Sequence, residues 1–275
     1  MADALVTAEW LAEHLEDDGV VVAEVDENPD LYEEGHIPGA VKLHWREDLQ
    51  DPVERDIIDK EAFERLLGSR GIGNETTVVL YGDKNNWFAA YAYWYLKVYG
   101  HEDVRILDGG RQKWIDDERE LTTDAPSPAE VPYSAQDADE SIRVRRDAVL
   151  GGLGDEGRVL VDVRSPQEYS GELMAPPGYE QEGASRTGHI PTAQSIPWAQ
   201  AVHDDGTFKS PEELRELYGA KGVTAEKEVL AYCRIGERSA HTWFVLRELL
   251  GYPDVKNYDG SWTEWGNLVD VPIER

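Results

Sequence analysis

Apolar runs of four to six residues recur along the chain and alternate with stretches of helical spacing. Val20-Val25, Val78-Tyr81, Val159-Val163 and Val229-Tyr232 are mostly unbroken apolar segments, the pattern of strands in a parallel sheet covered on both faces. Between them, Phe88-Tyr99 and Ala240-Leu250 carry helical periodicity. Ser210-Pro211-Glu212-Glu213 supplies an N-cap serine, a proline at the first helical position and a glutamate at the third, so a helix is expected to run through Tyr218. Strand and helix alternation of this kind predicts an α/β fold with a central, mainly parallel sheet between helical layers.

The pattern occurs twice. His36-Ile37-Pro38-Gly39-Ala40-Val41-Lys42-Leu43-His44-Trp45 returns at an offset of 153 as His189-Ile190-Pro191-Thr192-Ala193-Gln194-Ser195-Ile196-Pro197-Trp198, with five identities in ten positions. From Glu61 to Trp114 the second copy follows at a constant offset of 151, matching Tyr81 with Tyr232 and Asp108-Gly109 with Asp259-Gly260. Residues 1–123 and 142–275 are therefore expected to be tandem versions of one three-layer α/β/α domain. The stretch 124–141, which begins in proline and small or acidic residues without apolar periodicity, is expected to be a linker.

Composition narrows the class of partner. With 56 acidic and 27 basic residues the formal net charge is −29, which opposes nucleic acid and anionic membranes. Acidic residues are spread throughout, as on a solvated surface suited to high salt, and a halophilic source fits that distribution. No apolar window reaches the roughly 18 residues of a membrane span and the N-terminus lacks a signal-like pattern, so a cytoplasmic protein is expected. A single cysteine excludes an intramolecular disulfide framework, and no ligand spacing suggests a metal; neither metal nor cofactor is expected.

That cysteine, Cys233, lies in Tyr232-Cys233-Arg234-Ile235-Gly236-Glu237-Arg238-Ser239, between an expected strand and an expected helix. A lone cysteine is commonly a small buried apolar residue. At the start of a helix, however, it faces backbone N–H groups and the positive end of the helix dipole, which favour a thiolate and a neighbouring anion. The copies differ here. Gly82 stands opposite Cys233, and Asp83-Lys84-Asn85-Asn86-Trp87-Phe88 opposite Arg234 to Ser239, so both loop arginines are missing from the first copy. At an offset of 138, Arg164 is replaced by Asp26. Ligands of open α/β sheets lie beyond the C-terminal strand ends, where Arg164 and Cys233 are expected to share a crevice, although Arg164 bonded to a carboxylate is the structural alternative. The first copy is expected to be inactive. The second copy also carries 15 additional residues before its His-Ile-Pro segment, including Ala175-Pro176-Pro177-Gly178-Tyr179 and Arg186, either as a cover over the crevice or as surface ornament.

These residues resemble the rhodanese family of sulfurtransferases, in particular its two-domain thiosulfate sulfurtransferases. Tyr32-Glu33-Glu34-Gly35-His36-Ile37-Pro38-Gly39-Ala40 is similar to the family's N-terminal signature, Tyr258-Asp259-Gly260-Ser261-Trp262-Thr263-Glu264-Trp265 to its C-terminal one, and Cys233 to Arg238 to its active loop. The resemblance implies that Cys233 takes the outer sulfur of thiosulfate as a persulfide, releases sulfite, and passes the sulfur to cyanide or a thiol. It implies an anionic sulfur donor bound first by Arg238, then by Arg164, with Arg234, Gly236, Glu237 and Ser239 around it. Ile235 stands where vertebrate members carry a lysine, so the cationic contact falls to Arg234 or Arg238. Three other readings share the loop. A cysteine-dependent phosphatase needs an arginine six positions after its cysteine, but position 239 is serine. A 3-mercaptopyruvate sulfurtransferase usually has a smaller, less charged loop. A non-enzymatic sulfur-carrier module would form the same persulfide.

Overall fold

A computed structural model of the chain describes residues 4–179 and 183–275. Its contacts divide the chain into two compact units, the first running to Asp139 and including Val202–Phe208, the second comprising Glu140–Ala201 and Lys209–Arg275.

In the first unit, strands β1 (Leu5–Val6), β2 (Val20–Glu24), β3 (Val41–Lys42), β4 (Thr77–Tyr81) and β5 (Val104–Leu107) form a parallel sheet in the order β1-β5-β4-β2-β3. Helices α1 (Ala8–His14), α2 (Leu31–Glu34), α3 (Lys60–Ser69), α4 (Asp83–Val98) and α5 (Gly110–Asp116) interleave with them. Successive side chains of a strand point to opposite faces, and Val78, Val79, Leu80 and Tyr81 are all fully buried. Both faces of β4 are therefore covered, as the unbroken apolar run predicts. Val22, Val79, Tyr81, Leu107 and Trp114 belong to one core cluster with Leu11 and Ile37.

The second unit repeats the plan. Strands β6 (Arg158–Asp162), β7 (Gln194–Ser195), β8 (Glu228–Tyr232) and β9 (Val255–Asn257) pair in parallel in the order β7-β6-β8-β9, with helices α6 (Arg146–Gly151), α7 (Pro166–Ser170), α8 (Pro211–Gly219), α9 (Glu237–Phe244) and α10 (Ser261–Trp265). Ser210 caps α8 through a reciprocal box with Glu213, and Ser165 caps α7 with Glu168 in the same way. Leu160, Leu230, Tyr232, Trp262 and Trp265 share its core.

Register carries the repeat to the site. Glu24 pairs with Tyr81 across β2 and β4, and Asp162 pairs with Tyr232 across β6 and β8, so each strand end presents a carboxylate beside a tyrosine. The residue after each tyrosine is the one that differs, Gly82 or Cys233.

Three expectations change in detail. The helix expected from Ala240 begins at Glu237, and its final turn, Val245–Leu249, is π-helical. The helix expected from Phe88 begins at Asp83 but is broken by left-handed backbone at Lys84, Asn85 and Asn86. The segment 124–141, expected as a linker, contains no helix or strand through Asp139 and packs along the first unit up to there. Val131 N–H donates to the Gly68 carbonyl at 3.1 Å, and Tyr133 stacks on His101. Among the described residues no helix is long and apolar enough to cross a membrane.

Candidate active site

β8 delivers Cys233 to the C-terminal edge of its sheet, and the chain turns at once into α9. Gly236 makes that turn possible, with a left-handed φ of 99° and a position where a Cβ would lie 2.8 Å from the Asp259 Cα. The loop is held from three sides. Cys233 N–H donates to Ser261 Oγ at 3.0 Å, Trp262 N–H donates to the Cys233 carbonyl at 3.1 Å, and Asn257 Nδ2 donates to the Gly236 carbonyl at 3.0 Å.

Cys233 Sγ lies inside this ring and is fully buried. Gly236 N–H donates to it at 3.2 Å, and Ser239 Oγ lies 3.6 Å away. The thiol in turn donates to Glu237 Oε2 at 3.1 Å, and that oxygen also accepts the Ile235 N–H at 3.3 Å. Burial pushes the Cys233 thiol up, the Glu237 charge adds to the rise, and Arg238 and the Ser239 N–H pull the other way. The loop is thus an anion cradle whose centre already holds a carboxylate of the chain itself.

The arginines expected to bind a substrate anion are all engaged. Arg238 is buried and grips Glu168 of α7 with two hydrogen bonds, Nη1 to Oε2 at 3.1 Å and Nη2 to Oε1 at 3.2 Å, while its Nε lies 3.6 Å from Glu237 Oε1. Burial alone would raise Glu168, but the charge and hydrogen bonds of Arg238 outweigh it and hold the carboxyl below its usual range. Arg234 donates to the Tyr179 carbonyl at 2.9 Å and lies 4.8 Å from the centre of that ring. The Nε atoms of Arg234 and Arg238 are buried and have no hydrogen-bond partner, so each guanidinium keeps a donor in reserve.

Arg164 is paired within its own unit. Its guanidinium is bound to Asp162, Nε to Oδ1 at 2.9 Å and Nη2 to Oδ2 at 2.6 Å, with a further bond from Nη2 to the Gly188 carbonyl at 2.7 Å. It also lies over the Trp262 ring at 4.5 Å. The carboxylate-bonded alternative describes this arginine, and the first unit shows why the strand end requires a cation. There Glu24 replaces Asp162, Asp26 replaces Arg164, and the positive charge comes from Arg111, at the position of Trp262, 3.7 Å from Glu24. The cation has moved to another element while the need to neutralise the buried acid has stayed.

Gly82 differs from Cys233 by more than a missing thiol. A Cβ there would lie 2.1 Å from the Val25 carbonyl oxygen, so the backbone excludes any side chain without moving. Asn86, opposite Glu237, accepts the Gly82 N–H at 3.0 Å and donates to the Leu107 carbonyl, which fills the loop. Asp83, opposite Arg234, accepts N–H groups of Glu27 and Asn28. Acids stand opposite two of the arginines, Asp83 opposite Arg234 and Asp26 opposite Arg164, while Trp87 stands opposite Arg238; burial, then the hydrogen bond and charge of Glu24, push Asp26 up to about 9.

Four residues of the site go beyond the sequence expectations: Glu168, Ser261, Asn257 and Tyr179. Glu168 had a readable signal, since Ser165-Pro166-Gln167-Glu168 has the same capping pattern as Ser210 to Glu213. Its pairing with Arg238 had none. Tyr179 shows that the additional segment reaches the loop, while Arg186 donates to the carbonyls of Trp265 at 3.1 Å and of Leu268 and so ties that segment to the C-terminal part of its unit. Residues 180–182 of the same segment lie outside the described residues.

Comparison with known proteins bears on the family and the fold. A model of the rhodanese-like domain matches residues 7–117 and again 146–268. A protein of Saccharopolyspora erythraea named "Putative thiosulfate sulfurtransferase" is 58% identical over 273 residues, which is 99% of this chain and 96% of that protein. One of Thermus thermophilus named "Sulfur carrier protein TtuD" is 60% identical over 276 residues, 99% of this chain and 97% of that protein. Among solved structures, an EanB variant in complex with ergothioneine superposes with a TM-score of 0.87 at 29% identity, over 99% of this chain and 70% of that one. A second structure of the same EanB variant, with ergothioneine covalently linked to a persulfide cysteine, matches at 0.85 and 28%, over 98% and 70%.

Proposed function

The chain belongs to the rhodanese family, with two rhodanese-like domains in tandem, and from that premise we propose that it is a thiosulfate sulfurtransferase whose second domain carries the chemistry. The observation that carries this reading is Cys233 Sγ enclosed by the Gly236 N–H, the Ser239 hydroxyl and a loop with two arginines, an arrangement suited to an anionic sulfur donor. The Cys233 thiolate attacks the outer sulfur of thiosulfate, the donor's S–S bond breaks, and sulfite leaves with the electron pair. The sulfur stays as a persulfide until a thiolate or cyanide attacks it, a ping-pong sequence. Arg238 and Arg234 turn their reserve Nε–H donors to the developing charge. The first domain takes up no sulfur, because its Gly82 position has neither a thiol nor room for one.

A second reading, a sulfur carrier that hands the persulfide to a partner protein, is favoured by the Thermus relative's name. Both share the first half-reaction. The test is to mix the purified protein with thiosulfate and, separately, with 3-mercaptopyruvate, and to measure sulfite or pyruvate release and a mass gain of about 32 Da, one sulfur atom, at Cys233. Gain from thiosulfate with turnover on cyanide supports the enzyme. Gain without turnover on any small acceptor supports the carrier, and no gain from thiosulfate refutes the proposal. Cys233→Ser is expected to abolish both signals.

A further inference from the structure

Glu237 occupies a place that anion binding alone does not explain. Its side chain is buried, its carboxylate lies in the cradle that the substrate anion must enter, and a negative charge there works against a dianion. Yet the position is carefully held. Oε2 meets both the thiol and the Ile235 N–H, and Oε1 faces Arg238 Nε at 3.6 Å. Arg238 is in turn fixed by its two bonds to Glu168 of α7. A nucleophile, a group within proton-transfer reach, and a third group that orients it form the usual arrangement of an activated nucleophile. The charged groups around the thiol are Glu237 and Arg238 and, through Arg238, Glu168.

We infer that Glu237 is the general base of sulfur uptake, taking the proton of the Cys233 thiol as the donor binds and returning it to the departing sulfite. The inference rests on the thiosulfate reading above and deepens it. The S–H bond breaks and an O–H bond forms on Glu237, while the electron pair left on Sγ makes the new S–S bond to the outer sulfur of thiosulfate. The donor's own S–S bond breaks with its pair leaving on sulfite. The Glu237 proton then moves to a sulfite oxygen. A dianion and a thiol thus become a persulfide anion and hydrogensulfite, with the carboxylate restored and no oxidant or reductant consumed. Proton transfer leaves the cradle's net charge unchanged but moves the negative charge from the carboxylate onto Sγ, the atom whose electron pair forms the new bond.

Glu237→Gln keeps the size and the acceptor oxygen but removes the base. Persulfide formation on thiosulfate, followed by rapid-quench mass measurement at pH 7, is expected to slow about 100-fold and to climb as pH is raised. Alkylation of Cys233 by iodoacetamide, which involves no thiosulfate, is expected to move the other way, with its pH midpoint lower in the variant because a neighbouring negative charge is gone. A thiolate that forms more readily yet takes up sulfur more slowly is a split that a merely structural role would not produce. Sulfur uptake by Glu237→Gln equal to or faster than wild type overturns the inference. Should that variant not fold, Glu237→Asp draws the carboxylate back from Sγ and is expected to slow uptake about tenfold, and an unchanged rate would be equally fatal. If the wild-type protein gains no sulfur from thiosulfate, it is the functional reading that falls, and the alkylation shift still reports the contact between Glu237 and Cys233.

Discussion

Replacing Arg164 by methionine separates the two roles open to this arginine. In the structure it is almost wholly buried, and so is its partner Asp162. The two share close charge-assisted bonds, and the Gly188 carbonyl takes another. Removing the cation leaves a carboxylate in the core with no counter-charge, which costs about 3–5 kcal/mol. Removing the acid alone, as Asp162→Leu, strands a guanidinium and costs a similar amount. Removing both replaces a buried ion pair by apolar groups, a change commonly neutral or stabilising, so the double variant is expected within about 1 kcal/mol of wild type. The four proteins close a double-mutant cycle with a coupling energy of several kcal/mol. The assay is urea unfolding read by hydrogen-exchange protection of the β6 and β8 amides, which isolates the second unit. Activity is read on the same proteins, and the folded double variant is expected to keep kcat/KM for thiosulfate within tenfold of wild type. If Arg164→Met leaves stability unchanged while kcat/KM falls 100-fold or more, Arg164 is a substrate anchor and the pairing argument is wrong.

Other outcomes follow from the same contacts. Gly82→Cys is expected to destabilise the first unit by about 2 kcal/mol or more and to gain no sulfur from thiosulfate, because a Cβ would press on the Val25 carbonyl at 2.1 Å; a persulfide at position 82 would refute this. Asp26 is an acid whose folded pKa, about 9, is raised above its unfolded 3.8, so its contribution to stability is present below pH 3.8 and lost as pH rises through about 9. Asp26→Asn removes that dependence. Its stability relative to wild type is therefore expected to rise between pH 5 and 8 by up to about 1.4 kcal/mol per pH unit, and a difference independent of pH in denaturation curves would contradict the burial argument. With a net charge of −29, long-range repulsion of a dianion is screened by salt, so kcat/KM for thiosulfate should rise as ionic strength increases from low values, and a monotonic fall would count against it.

Much of the fold was legible because its signals are local or periodic. The apolar runs ending at Tyr81 and Tyr232 became β4 and β8, and the capping pattern at Ser210 became the start of α8, since neither depends on anything distant in the chain. The repeat made the loop legible too, by showing that the cysteine and both loop arginines are absent from the first copy. The break at Lys84 to Asn86 was hidden, because left-handed backbone at three successive non-glycine residues follows from what surrounds them rather than from their own preferences. The partner of Arg164 was hidden for a related reason. Aligning the copies shows its absence from the first but not that the cation there is supplied by Arg111, since a counter-charge that changes its place in the sequence cannot be followed by aligning positions.

By itself, the chain determined that two α/β domains of one design are joined in tandem, and that its single cysteine, Cys233, sits where a parallel strand passes into a helix. Hydrophobic periodicity, turn residues and internal comparison suffice for these, because strand, helix and repeat are written along the sequence. Which charge meets which was decided only by the tertiary structure. Arg238 met Glu168, Arg234 met the Tyr179 carbonyl, Arg164 met Asp162, and Glu237 turned inward to the thiol rather than outward to water. A buried charge settles on whatever opposite charge or hydrogen-bond partner the packed chain brings within about 3 Å, and that proximity is a property of the fold, not of spacing along it.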